Sequence, residues 1–402
     1  MTEFASDADT IVPAAQRAEI APAWGAIISL SLGVFGLVTA EFLPASLLTP
    51  LAADLHITEG AAGQAVTATA IVGAIAAPTM AIITKRLDRR VVMWALTALL
   101  IVSNVLAAWA SDLTTLLLAR VLLGVSLGGF WSMAAAMAMR LVPMRLMPRA
   151  MSIILTGVSI ATVCAAPVGA YVGSVWGWRA AFVIAATIAS VTLLAQLITL
   201  PKLPPIGSPG LRTLLEVVKL RRIRIGLLAV LLIASGHFAG FTYIRPFLEQ
   251  VPAFDVQTIS LVLLAYGIGG FLGNFAGALV IERSLRAAVA LAPLLIAATS
   301  LALIAYGSST LVAAAAVALW GFGFGAVPVG LQTWMAQAAN DQAESAGGLF
   351  IATFQVAIAG GAILGGLLVD NSGVSSAFAY CGAATLLATI AVFVLGRERR
   401  AG

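Results

Sequence analysis

In this chain of 402 residues, hydrophobic types make up 61% and charged types only 10%, and the mean hydropathy is +1.05. That is far more apolar surface than a soluble core can bury, which excludes a soluble enzyme or a nucleic-acid-binding domain. The net charge of +5 therefore has to be read as a question of where the cations fall along a membrane protein.

In chain order, residues 1–23 hold Glu3, Asp7, Asp9 and Glu19 against a single Arg17. They lack the basic start and cleavage pattern of a signal peptide and read as a short cytoplasmic tail. Apolar stretches of about 20 residues follow, each long enough to span a bilayer. The expected spans are Trp24–Leu51, Ala61–Ile83, Val91–Ala110, Leu113–Met139, Ala150–Val172, Ala180–Leu200, Ile225–Leu248, Ile259–Ile281, Ala287–Tyr306, Leu311–Gln337, Ala346–Val369 and Ala377–Gly396. The expectation is an all-α polytopic membrane protein with two bundles of six helices, 24–200 and 225–396. A linker, 201–224, joins them, and a short tail, 397–402, ends the chain. The linker opens with Pro201, Pro204, Pro205 and Pro209 and closes with a basic run; its piece Leu211–Leu220 is expected to lie on the inner membrane surface.

Cations set the orientation. Of the 22 Lys and Arg, all but Arg120, Arg179 and Arg245 fall in segments on one side of the alternation. They are Arg17, Lys85, Arg86, Arg89, Arg90, Arg140, Arg145, Arg149, Lys202, Arg212, Lys219, Arg221, Arg222, Arg224, Arg283, Arg286, Arg397, Arg399 and Arg400. That side is cytoplasmic, with both termini on it. The outer loops carry Asp54, Glu59, Asp112, Asp255 and Asp370 instead.

The halves repeat each other. Aligned half to half, Pro44 meets Pro246, Pro50 meets Pro252 and Met133 meets Met335; after a small gap Gly169 meets Gly365, Gly177 meets Gly373 and Phe182 meets Phe378. Glycines four apart, Gly169, Gly173 and Gly177, then Gly269, Gly273 and Gly277, then Gly361 and Gly365, clear helix faces for close approach. Their place on spans five, eight and eleven suggests the seams between rocking halves, beside the plainer reading of helix packing.

Soluble-enzyme motifs are missing: no GxxxxGK[ST] loop occurs, and the Gly321, Gly323, Gly325 string sits inside an apolar span with no strand before it. His56 and His237 are too far apart for a metal pair, Cys164 and Cys381 read as two buried free thiols, and no cofactor is expected. Ionisable groups within spans are costly and mark pathways by default. Four qualify: Glu41, Arg120, Arg245 and Glu249. Glu41 and Arg120 lie at similar depth, roughly 10–15 Å inside the outer surface. One reading makes Glu41 a proton carrier tuned by Arg120; the other makes the two a permanent ion pair that only fixes the bundle. Arg245 and Glu249 are spaced for a local i,i+4 pair across Pro246. Tyr243, Arg245 and a break at Pro246 match Glu41 and a break at Pro44 in the first half, and matched breaks point to a binding site. Polar and aromatic residues within spans, Trp131, His237, Tyr243, Arg245, Asn274, Gln332, Trp334 and Gln355, are the candidate solute contacts. Aromatic faces with amide and hydroxyl edges suit a flat, polar, neutral solute.

Arg120-Val-Leu-Leu-Gly124 with Gly128-Gly129, Gly157 with Ala166-Pro167-Val168-Gly169, Gly177-Trp178-Arg179 with Phe182, and the loop Lys85–Arg90 resemble motifs of the major facilitator superfamily drug:proton antiporters. Thr84 stands where the loop motif has glycine, and Ala166 precedes the fifth-span proline. The resemblance implies gating roles for Asp88, Arg89 and Arg90 and for Pro167 and Gly169. Glu41-Phe-Leu-Pro44 with Ser46–Pro50, Gly128–Trp131, Met139–Pro143, Phe241–Pro246 and Val327–Gly330 are similar to the bacterial purine ribonucleoside efflux pumps within that superfamily. That implies export of nucleosides such as inosine and guanosine by proton antiport across the bacterial inner membrane, by a monomer whose partners are solute, protons and lipid. Same-fold exporters of sugars or small amphipathic drugs are the alternative.

Overall fold

The computed structural model describes residues 22–84, 86–143, 146–205, 216–339 and 342–395. The expected terminal tails up to residue 21 and from residue 396, the cations Arg17, Lys85, Arg145, Arg212, Arg397, Arg399 and Arg400, and the surface piece Leu211–Leu220 as far as residue 215 lie outside the described residues.

Helices run α1 (Trp24–Asp54), α2 (Glu59–Ile83), α3 (Arg89–Ala108), α4 (Leu113–Leu141), α5 (Met147–Val175), α6 (Trp178–Thr199), α7 (Arg221–Thr242), α8 (Ile244–Gln250), α9 (Val256–Arg283), α10 (Leu285–Tyr306), α11 (Thr310–Ala338), α12 (Ala343–Ser372) and α13 (Ser375–Leu395). Twelve are long and apolar enough to cross a membrane; α8 continues the seventh span. Helix is the expected solution, because within lipid every backbone amide and carbonyl has to be satisfied inside its own segment. Short connections carry their own caps. Asp112 accepts from Thr115 N at 2.9 Å and Asp255 from Thr258 N at 2.9 Å. The Thr115 backbone N–H and hydroxyl hold the Asp112 carboxyl, and the Thr258 hydroxyl and backbone N–H the Asp255 carboxyl, below the usual carboxylate range. The duplication is visible in the backbone, since Gly177 and Gly373, before α6 and α13, share φ +83, a conformation that strains any other residue.

Two bundles form, α1–α6 and α7–α13. They meet along α2 against α12 and α5 against α9. The linker face carries Trp24, Leu395 and the segment between the bundles; the opposite face carries the turns near 56, 111, 253 and 308. The bundles are joined unequally at the two faces. One buried apolar cluster runs through both bundles and includes Leu43, Leu47, Leu48 and Leu51 of α1, whereas Ile27, Leu30, Val34, Leu37 and Ala40 belong to a second cluster confined to the first bundle and the start of the linker. The switch falls at Glu41. Near the opposite face hydrogen bonds join the bundles: Asp370 accepts from Gly60 N and Thr58 Oγ1, Gln250 donates to Glu59, and Arg245 donates to Ser46 O. The molecule is shut at the opposite face and parts toward the linker face.

Three expectations change. The repeated glycines serve packing within bundles: side chains at Gly169 and Gly173 would strike Ser46 and Leu47 of α1, at Gly273 and Gly277 the α11 residues Phe322 and Ala326, and at Gly361 and Gly365 the α7 residues Ser235 and Ala239. Sequence spacing shows that a helix face is bare but not which neighbour faces it. The glycines that do face the other bundle include Gly60, Gly63, Gly73, Gly267, Gly270 and Gly366. Second, the matched helix breaks are not matched: the seventh span breaks at Tyr243, between α7 and α8, while α1 runs unbroken through Pro44 and Pro50. Third, Cys381 is buried but Cys164 is partly exposed, on an apolar groove between α1, α5 and α6.

Candidate functional site

Glu41 occupies the point on α1 where the bundles part, and it is partly exposed. Beside its carboxyl lies the Gln355 carboxamide of α12, across the seam. Gln355 is buried, 5% exposed, and its Oε1 has no partner. A carboxylate only accepts hydrogen bonds, a protonated carboxyl also donates, and an amide can turn to meet either form. This pair can therefore register a proton across the seam.

Arg120 is fully buried but makes no ion pair with Glu41. Its Nη1 donates to Ala40 O at 3.0 Å, its guanidinium lies 4.7 Å above the Phe182 ring, and Nε and Nη2 are unpartnered. A backbone carbonyl and an aromatic face answer the cation from within its own bundle, while Glu41 turns to the seam. Similar depth along two helices did not specify which side each side chain takes.

Next to Glu41, Phe42 meets Phe241 of the second bundle edge-on at 5.6 Å, opening onto an aromatic box. His237 stacks on Phe324 at 3.4 Å and Phe241 at 5.5 Å, with Trp320 edge-on at 5.3 Å. Its Nε2 lies 3.3 Å from Tyr266 Oη, and its Nδ1 is unpartnered. Phe238 and Phe354 extend the box. Phe42, Phe324 and Phe354 are its partly exposed members. Of these rings, His237 is the one among the candidate solute contacts expected from the sequence. The signal passed over was the i,i+4 spacing of His237 with Phe241 on one span and of Trp320 with Phe324 on another.

The other candidates scatter. Tyr243 is buried, donates to Ala362 O at 3.0 Å and wedges its hydroxyl between Gly63 of α2 and Gly366 of α12. Arg245 is 4% exposed; its Nε donates to Glu249 Oε1 at 2.8 Å, the expected local pair, and its Nη1 reaches Ser46 O at 2.6 Å. Both hold the seam shut above the box. Trp334 is buried toward the linker face, its Nε1 donating to Arg222 O at 2.9 Å, and Trp131 packs against the first bundle's own cluster. Asn274 and Gln332 are exposed; Asn274 lies two helical turns beyond Gly267 on the same face of α9. Asp88 caps α3 through Arg90 N at 2.8 Å and takes Leu203 N at 3.1 Å, Arg89 donates to Thr84 Oγ1 at 2.7 Å, and Arg90 lies over Trp94. This loop thus holds the start of the linker. Pro167 is buried in α5, near where that helix meets α9, and Gly169 faces α1.

Residues 30–361 match the Major Facilitator Superfamily. The chain belongs to that superfamily. It is a multi-pass membrane transporter of small solutes, not an enzyme. It is 42% identical over 371 residues to the purine ribonucleoside efflux pump NepI of Salmonella typhimurium (strain LT2), covering 92% of this chain and 94% of that one, and equally so to the NepI of Salmonella paratyphi C. Among solved structures it is similar to the human organic anion transporter MFSD10, at 19% identity and TM-score 0.68, covering 92% of this chain and 98% of that one. A POT family transporter in complex with 5-aminolevulinic acid gives 12% identity and TM-score 0.76, with coverage of 93% and 96%. These two likenesses bear on the fold alone.

Proposed function

We propose that this transporter exports purine ribonucleosides of the inosine and guanosine type in exchange for protons. It does so as a monomer in the bacterial inner membrane, with the linker face and both termini cytoplasmic. The observation that carries the reading is the 42% identity to purine ribonucleoside efflux pumps over nearly the whole chain. The site fits it. A flat base stacks on Phe324, Phe354 and Phe42, with Gln355 and His237 offering amide and imidazole edges. The cycle alternates between the linker-open form described above and a form open at the opposite face.

Coupling requires that proton and solute favour different forms, since a ligand that binds both equally shifts nothing. Glu41 is the proton carrier, because it is the titratable group where the cleft ends and its neighbour Gln355 belongs to the other bundle. Solute enters from the cytoplasm beside a deprotonated Glu41; once the opposite face opens, solute leaves and a proton arrives. One pH unit is worth about 1.4 kcal/mol per proton, so exchange of one proton per nucleoside supports about tenfold accumulation per unit. The test is uptake of labelled inosine into inverted vesicles, acidic inside. Accumulation should approach tenfold for a one-unit gradient and collapse when a protonophore is added. Inosine uptake indifferent to the gradient would remove proton coupling, and no inosine uptake beside uptake of a sugar or drug would replace the solute.

A further inference from the structure

Helix α1 crosses the membrane unbroken although it contains Pro44 and Pro50. A proline has no N–H and crowds the carbonyl four residues back, so Ala40 O and Ser46 O are left without their helical donors. In a bilayer such a carbonyl needs a substitute. Each has one, and each is an arginine: Arg120 Nη1 to Ala40 O at 3.0 Å, and Arg245 Nη1 to Ser46 O at 2.6 Å. The two deeply buried guanidiniums thus answer the two prolines of α1. They differ in origin, for Arg120 comes from α4 of the same bundle, whereas Arg245 comes from α8 of the other.

We propose that Pro50 and Arg245 form a conformation-specific latch, in which proline bares the Ser46 carbonyl so that the other bundle's arginine takes it only when the opposite face is shut. Arg245 is aimed by Glu249 Oε1, at 2.8 Å from its Nε, and by the helix break at Tyr243. The latch lies near the opposite face, so when the bundles part there, water meets both the carbonyl and the guanidinium and the open form carries no stranded group. The Arg120 tie lies within one bundle and persists in both forms. The latch rests on the alternating-access reading above.

The test uses the full-length transporter with Cys164 and Cys381 replaced by alanine and spin labels at Ser111→Cys and Ser308→Cys, one exposed turn of each bundle on the opposite face. Pulsed electron resonance then gives the distance distribution. Pro50→Ala restores an N–H to Ser46 O and weakens the latch, so the long-distance population should rise several-fold. Arg245→Gln, which removes the charged donor, should raise it about tenfold. In the double variant the two shifts should add to less than their sum, because both act on one carbonyl. Pro44→Ala should leave the distribution unchanged. Should Arg245→Gln fail to fold, Arg245→Lys, which keeps the charge but lacks the second fork, should still lengthen the distribution. Equal shifts from Pro44→Ala and Pro50→Ala, or no shift from Pro50→Ala, would overturn the latch. A single distance in every variant, with solute and across pH, would overturn alternating access with it.

Discussion

Gly63→Ala tests whether the seam at the opposite face is a moving contact. A Cβ at Gly63 would overlap the Tyr243 hydroxyl, the tip of a fully buried ring that also donates to Ala362 O. The ring has no room to yield. Overpacking costs about 1–3 kcal/mol, and if the hydroxyl is displaced its hydrogen bond is lost as well, at about 1 kcal/mol. A penalty of about 2 kcal/mol confined to the linker-open form shifts the balance of forms roughly 30-fold toward the one open at the opposite face. Gly173→Ala is the matched control, because its Cβ meets Leu47 inside the first bundle; its cost falls on both forms alike. The assay is the rate at which an impermeant maleimide labels a cysteine at Thr67, a buried α2 position one helical turn beyond Gly63. Gly63→Ala should speed labelling about tenfold or more with little loss of melting temperature, and Gly173→Ala should lower the melting temperature without speeding labelling. Equal labelling in both variants would refute a seam that opens between Gly63 and Tyr243.

Arg120→Gln should reduce abundance, and adding Glu41→Gln should not restore it, because Arg120 serves Ala40 O and not Glu41; recovery in the double variant would reinstate the ion pair. Phe324→Ala should weaken inosine binding by about tenfold while leaving the melting temperature within a few degrees, since its ring is partly exposed, and unchanged binding measured by calorimetry would move the solute elsewhere. Asp112 caps α4 and its carboxyl is held below the usual range, so the stabilisation is present above the ordinary carboxylate pKa and is lost as pH falls through the lowered one. The melting-temperature gap between the wild type and Asp112→Ala should therefore persist at pH 7 and close in acid; a gap that widened in acid would reverse the argument. For topology, Ser308→Cys should react with an impermeant thiol reagent applied outside intact cells and Ser284→Cys should not, and the opposite pattern would invert the orientation.

Spans, bundles and the Arg245 with Glu249 pair were legible because they depend on periodicity and on spacing within one helix. The Glu41 with Arg120 pairing was not, because depth along two helices does not say which way each side chain turns. Nor was the aromatic box, whose rings come from α1, α7, α9, α11 and α12 and, His237 apart, look like ordinary span residues on each. Pro44 and Pro50 carried a signal that could have been followed further: each implies a freed carbonyl at a computable position, Ala40 and Ser46, and the spans hold few unattached cations to meet them. The repeated glycines pointed to the right helices and the wrong neighbours.

The central claim is that Glu41, at the seam beside Gln355, carries the proton that drives export. Glutamine keeps the shape and hydrogen bonding of a protonated glutamate but cannot release a proton. Proteoliposomes containing Glu41→Gln should therefore exchange labelled for unlabelled inosine at rates comparable to wild type, yet fail to accumulate inosine against a gradient when a proton gradient is imposed. Gradient-driven accumulation equal to wild type in the variant would contradict the account.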